Sequence, residues 1–274
     1  MAVSIEDIKH LRKMSGAGMM DCKNALNEVD GDFDKAMEII RLKGQVVAAK
    51  RSERETSEGC VLAQAIDGYA AMIALKCETD FVAQNADHIK MTQDILDLAI
   101  ENRCKTIEEV NALPYGGSTV GDKVIERSGI CGEKTELDGY LFVSGDTTVA
   151  YIHNGNKLAT IVALNQPGVD AQVARDVAMQ VAAMNPISID PASVPADVLE
   201  EEKKIAAEKA REEGKPENLI PRIAEGRVKK FYKEMCLLNQ EYVKDNKMTI
   251  AQFLEGASKG LTVVDFKRFT LNAE

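Results

Sequence analysis

The sequence predicts an α+β fold, and three observations carry that prediction. Helical spacing fills the first fifty residues, a hairpin-plus-helix pattern then occurs twice, and a long charged helical stretch is interrupted once by Gly214-Lys215-Pro216. Ser4, three residues before Asp7, suits a helix N-cap, and Ile5, Ile8 and Leu11 recur on one face behind it. Gly16 and Gly18 are expected to end that helix. Asp21 is placed to cap a second, with Cys22, Ala25, Leu26 and Val29 on one face. After Asp30-Gly31-Asp32 a third carries Phe33, Ala36, Met37 and Ile40, and Gly44 is its expected stop. Residues 1–50 thus read as a three-helix module, and the charged run at 51–58 as a linker.

Beyond the linker the period changes. Gly59 to Ile66 and Tyr69 to Cys77 are apolar runs separated by Asp67-Gly68, which predicts a hairpin closed by a type I′ turn. A helix should follow with Ile89, Thr92, Ile95, Leu96, Ala99 and Ile100 buried. The pattern returns as Thr147 to His153, the turn Asn154-Gly155, Lys157 to Leu164, and a helix bearing Val173, Val177, Val181 and Met184. A third strand is expected at Gly139 to Val143, before the second hairpin. Two related units follow, at 59–138 and 139–274, each with a sheet face covered by helices.

Inside the second unit, residues 195–235 read as an antiparallel helical hairpin. Its first arm is mainly acidic (Glu200, Glu201, Glu202, Glu212, Glu213) and its second mainly basic (Arg222, Arg227, Lys229, Lys230, Lys233). Opposite charges would face each other across the seam, and the thin apolar stripe of the first arm predicts that the hairpin protrudes. A last helix from Thr249, with Gln252 completing a capping box, and a strand at Thr262 to Leu271 close the chain.

The composition narrows the function. A net charge of −10 disfavours a phosphate backbone as the main partner, so direct nucleic-acid binding is not expected and a protein partner is. No apolar run approaches the length that spans a bilayer, and the N-terminus lacks the apolar block of a secretory signal, so a cytoplasmic protein is expected. The six cysteines contain no C-x-x-C pair and the three histidines no ligand spacing, so no metal centre and no cofactor are expected. No Walker loop, G-x-S-x-G or H-E-x-x-H occurs. The best acid and base candidates are Asp67, Glu78 and Asp80, which could also hold Mg²⁺ in a phosphohydrolase. Met19 and Met20 are adjacent at the tip of the small bundle and cannot both enter its core, so at least one should be exposed, as adaptable contact surfaces require. Docking through that bundle would make the chain a non-catalytic adaptor.

The corner after the first hairpin reads Cys-Glu-Thr-Asp-Phe-Val-Ala-Gln-Asn, residues 77–85. Phe81 sits in polar company there, either as the plug of a local core or as a side chain presented to a partner.

Three stretches taken together resemble one family. "LRKMSGAGMMDCKNAL" (Leu11 to Leu26), "TDFVA" (Thr79 to Ala83) and "EGRVKKFYKEMCLLNQEYVKD" (Glu225 to Asp245) stand in the order found in bacterial elongation factor Ts. The resemblance runs nearly end to end. It implies a UBA-like N-terminal module, a duplicated core and a protruding helical hairpin. It also implies a guanine-nucleotide exchange factor without bond-making chemistry, acting on the GTPase elongation factor Tu. In that family Thr79, Asp80, Phe81 and Val82 would be the wedge that dislocates the partner's Mg²⁺. Arg12, Met19, Met20, Lys23, Lys50, His153, Tyr242 and Val243 would bind the partner, with a scaffold role equally open for His153. The sequence departs from the family twice. Glu241 stands where proline is common, and no further helical module follows "RFTLNAE".

Overall fold

The computed structural model describes residues 3–272. Ser4 caps α1 (Ile5–Ser15) with a full capping box to Asp7, and Gly16 ends it in the left-handed region at φ 70°. Ile8 and Leu11 are buried, but Ile5 is 61% exposed and is not part of the core face. The helix α2 (Met19–Glu28) starts earlier than Asp21, with Gly18 as its N-cap. Asp21 lies in its first turn, where a carboxylate favours the positive end of the helix dipole. Cys22, Ala25 and Leu26 meet Leu11 and Ala36 in the small core of this module.

Asp32 caps α3 (Phe33–Lys50), which does not stop at Gly44. The reason lies in a segment that carried no helix expectation, α7 (Val120–Cys131), begun by a Thr119–Asp122 capping box. Gly44 of α3 lies on Gly129 of α7. A Cβ built on Gly129 would fall 2.2 Å from Gly44 Cα, and one on Gly44 would fall 3.2 Å from Glu126 Cα. Glycine here serves a backbone-to-backbone helix crossing, and the packing gain offsets its poor helix propensity.

The segment 51–57 is not slack. Arg51 pairs with Glu78, the Arg54 carbonyl accepts from Lys134 Nζ at 3.3 Å, and the buried Thr56 hydroxyl donates to Glu136. Next, β1 (Glu58–Ile66) and β2 (Tyr69–Cys77) form the expected hairpin, with Ile66 opposite Tyr69. Gly68 has positive φ and Asp67 does not, so the turn is not type I′. The chain then makes α4 (Asp80–Ala83) and α5 (Ala86–Glu101), whose Thr92, Ile95, Leu96, Ala99 and Ile100 are buried. A short α6 (Ile107–Ala112) and the ribbon of β3 (Pro114–Tyr115) with β4 (Ser118–Thr119) lead into α7.

The strand expected before the second hairpin exists as β5 (Glu136–Ser144), but it pairs with β2 and completes the first sheet, in the order β1-β2-β5. A boundary at 138/139 therefore cuts a strand. The second hairpin is β6 (Thr147–Ile152) with β7 (Leu158–Leu164), followed by α8 (Ala171–Met184). Its turn spans His153 to Lys157, with Gly155 and Asn156 at positive φ. The third strand of this sheet is β10 (Val263–Thr270), paired with β7. Each sheet thus has the second hairpin strand at its centre and a later strand at its side.

The runs in β1, β2 and β7 lack polar alternation because both faces are covered. Cys60, Leu62, Ala71, Ile73 and Leu75 face α5, and Val162 and Leu164 face α8. The alternate residues Val61, Ala70, Met72, Ala74, Ala159, Ile161 and Ala163 form one cluster between the sheets. Small alanines let the two sheets approach closely.

The hairpin arms are α9 (Ala196–Glu212) and α10 (Ile220–Met235). Ala206, Ala210, Ile220 and Val228 are buried, and Ile223, Phe231 and Met235 are partly exposed. The expected charge ladder is not built. Arg227 to Glu213 at 2.6 Å joins the arms near the turn, whereas Lys204–Glu201 and Lys230–Glu234 pair within one helix. The ribbon of β8 (Glu241–Tyr242) and β9 (Asp245–Thr249) precedes α11 (Ile250–Ala257), whose Thr249–Gln252 capping box is present.

The crossing makes a prediction. Gly129→Ala should lower stability by about 1 to 3 kcal/mol through overpacking, visible as a lower Tm. Gly121→Ala in the same helix meets nothing closer than 3.5 Å and should be neutral or stabilising. Equal melting of both variants would refute the close crossing.

Candidate functional site

Where β2 stops, its backbone turns through Glu78 and Thr79 into α4. Glu133, just past the left-handed Gly132 that ends α7, takes both main-chain donors. Its Oε2 accepts from Glu78 N at 3.2 Å and Thr79 N at 3.0 Å, and its Oε1 accepts from Thr79 Oγ1 at 2.6 Å. The grip is reciprocal, because Glu78 Oε1 accepts from Lys134 N at 2.6 Å. Arg51 Nη1 lies 2.9 and 2.8 Å from the two Glu78 oxygens. Burial would raise the Glu78 carboxyl, but the Lys134 amide and the Arg51 guanidinium outweigh it and hold the group below its usual range.

Beneath the corner, burial pushes the Cys77 thiol up to about 12, so it stays protonated and donates to the Thr79 carbonyl at 3.2 Å. His88 is fully buried, and its Nε2 donates to the Leu75 carbonyl at 3.0 Å. Burial depresses its pKa, which keeps the ring neutral and structural.

On this platform Thr79 caps α4 by accepting from Val82 N. Ala83 is buried and Val82 half-buried, Asp80 is exposed, and Phe81 is 86% exposed. The plug reading of Phe81 is therefore wrong: its side chain lies in solvent. The phosphohydrolase grouping fails as well. Asp67 and Glu78 flank opposite ends of the nine-residue β2, roughly 30 Å apart at strand rise, and Glu78 is already committed. Among the described residues no cluster of three His, Cys, Asp or Glu could hold a metal.

The remaining candidates fall in two places. On the N-terminal helices Arg12, Lys23 and Lys50 are exposed and unpaired among the described residues, and Met19 and Met20 are 37% and 63% exposed. On the second sheet, His153 and Val243 line one apolar hollow of about 260 Å³ with Tyr151, Leu158 and Met179. Tyr151 Oη and His153 Nδ1 are 3.0 Å apart. Tyr242 is not at this surface. It is 6% exposed, stacks on Phe253 at 4.4 Å, and donates to Asp176 Oδ2 at 2.5 Å, while Lys244 Nζ lies 2.7 Å from Oδ1. It is scaffold that holds Val243 in place. Tyr151 takes its position beside His153, and an alternating strand gave no sign of that. Glu133 and Arg51 were also missed, since they meet the corner only after folding.

The sequence pattern of the family described as Elongation factor TS matches residues 78–273, which include the corner and the helical hairpin. The chain belongs to the elongation factor Ts family. The Elongation factor Ts of Porphyromonas gingivalis is 58% identical over 275 residues, with all of both chains covered. That of Azobacteroides pseudotrichonymphae is 54% identical over 274 residues, again with full coverage. The Bacteroides thetaiotaomicron elongation factor Ts is 52% identical with full coverage of both chains, over an alignment of 331 positions. Some positions of that alignment therefore have no counterpart in this sequence. Among the described residues no helix is long and apolar enough to cross a membrane.

The clamp sets a pH dependence. Glu78 has a depressed folded pKa, so its contribution is complete above its unfolded pKa of about 4.3 and is lost as pH falls through the lower folded value. Urea unfolding of Glu78→Gln should show a shallower loss of stability with acid than the parent over that range. Identical acid profiles would remove Glu78 from the clamp.

Proposed function

We propose that this elongation factor Ts binds elongation factor Tu in its GDP form and promotes GDP release, so that GTP can enter. One observation carries the reading: an aromatic side chain stands 86% exposed on a backbone corner held by a partly buried carboxylate clamp. Exposed phenylalanines normally fold back onto apolar surface, because burying one is worth about 1.5 to 3 kcal/mol. A rigid support that keeps Phe81 outward suits insertion into another protein. Pushed in beside Asp80, it would displace the elements holding the partner's Mg²⁺, an ion that demands near-ideal octahedral geometry and bridges nucleotide phosphates. No bond is made or broken in such a step, so the chain needs neither catalyst nor cofactor.

Two further contacts support the reading. The exposed methionines and cations of α1 to α3 (Arg12, Met19, Met20, Lys23, Lys50) form an adaptable handle of the UBA-like type, and the hollow beside His153 and Val243 suits an apolar side chain of the partner. The helical hairpin stands out from the core. We place this action in the cytoplasm, with neither nucleic acid nor membrane as direct partner.

The test is release of labelled GDP from the cognate elongation factor Tu. The parent chain should accelerate it. Phe81→Ala should reduce the acceleration about tenfold or more, while its stability stays within about 0.5 kcal/mol, as for a surface position. Asp80→Ala should lose less. Full acceleration by Phe81→Ala would exclude the wedge, and binding without acceleration by the parent chain would leave only an adaptor.

A further inference from the structure

Arg51 both ends α3 and holds the corner. Its N–H closes the helix on the Val47 and Ala48 carbonyls, and its guanidinium grips Glu78. Glu78 receives the Lys134 amide, and Glu133 returns to the amides of Glu78 and Thr79. Glu133 and Lys134 directly follow α7, whose Gly129 lies against Gly44 of α3. The contacts close a ring that runs from α3 through Arg51, Glu78 and Lys134 to α7 and back to α3. Two observations argue for a stiff ring. Its helix crossing has backbone against backbone, with no cushion of side chains, and the 51–57 segment is stapled again at Arg54 and Thr56. Packed elements of this kind shift as units and do not deform smoothly.

We infer that Arg51 is a positioning residue that makes the setting of α3 and the stance of Phe81 one mechanical variable. A partner that grips the exposed face of the N-terminal helices then also sets the wedge. The N-terminal module is a lever on Phe81 as well as a handle. The inference rests on the wedge reading above, and one of its measurements is made without any partner.

Backbone amide hydrogen exchange of the full free chain reads the corner directly. The Ala83 and Gln84 amides donate to the Thr79 and Asp80 carbonyls at 3.1 and 2.9 Å. Arg51→Ala should speed their exchange about tenfold and leave the α5 amides unchanged, with Arg51→Lys intermediate because lysine keeps the charge without the planar head. In the labelled-GDP assay the maximal release rate with Arg51→Ala should fall by about tenfold, and the half-saturating concentration should move by less than about twofold. Unchanged Ala83 and Gln84 amides would overturn the inference. So would a raised half-saturating concentration at full maximal rate, which marks a docking residue. If the amides loosen while Phe81→Ala releases GDP at the parent rate, the coupling stands and the wedge reading falls.

Discussion

Two main-chain N–H groups, those of Glu78 and Thr79, stand where β2 can no longer pair, and the Glu133 carboxylate satisfies both. The rest of the functional end depends on this one interaction. The two donors are partly buried, so losing their partner costs part of the about 1 to 3 kcal/mol of a fully buried one, and each hydrogen bond to the charged carboxylate contributes about 1.5 to 3. Those sums match or exceed what Phe81 would gain by folding inward. The corner can therefore keep an aromatic ring in water because its backbone has no better arrangement. Thr79 is fixed by the same carboxylate, so α4 starts at one place and Phe81 points one way.

Much of the fold was legible because it is local. Capping boxes at Ser4 and Thr249, the short connection between β1 and β2, and the unalternated runs of β2 and β7 all announce themselves within a few residues. What failed was non-local. The strand at Glu136 to Ser144 was visible, but nothing in its own residues says that it joins β2, sixty or more residues earlier at each pair, and not β6 next to it. Gly44 failed for a related reason. A glycine after three helical turns reads as a stop unless its packing partner, Gly129, is known.

The candidate site divides along the same line. Phe81, Met19 and Met20 could be singled out because each contradicts its surroundings, an aromatic at a polar corner and two methionines at a tip too small to bury both. Their supports could not. Glu133 is an ordinary surface glutamate in the sequence, and only the fold brings it to residues 78 and 79. Tyr242 shows the reverse error. It shares a motif with Val243, but Tyr242 ends β8 and turns inward to Asp176 while Val243 lies in the turn that follows and is exposed, so the motif as a whole could not all be contact.

On the proposed function, rigidity and exposure are one requirement. A wedge shifts its partner's equilibrium only by the difference in its affinity for the two states. If Phe81 could fold back, part of its burial energy would be available in the free chain, and that part would be lost from the difference. If the corner could yield, the nucleotide-bound partner could accommodate the ring without moving its own phosphate-binding elements, and the difference would shrink from the other side. The clamp closes both routes. Closed-cycle linkage then requires that GDP weaken the factor by the same ratio by which the factor weakens GDP. The stiffness of a few hydrogen bonds around Thr79 therefore sets an upper limit on how strongly the two ligands can exclude each other.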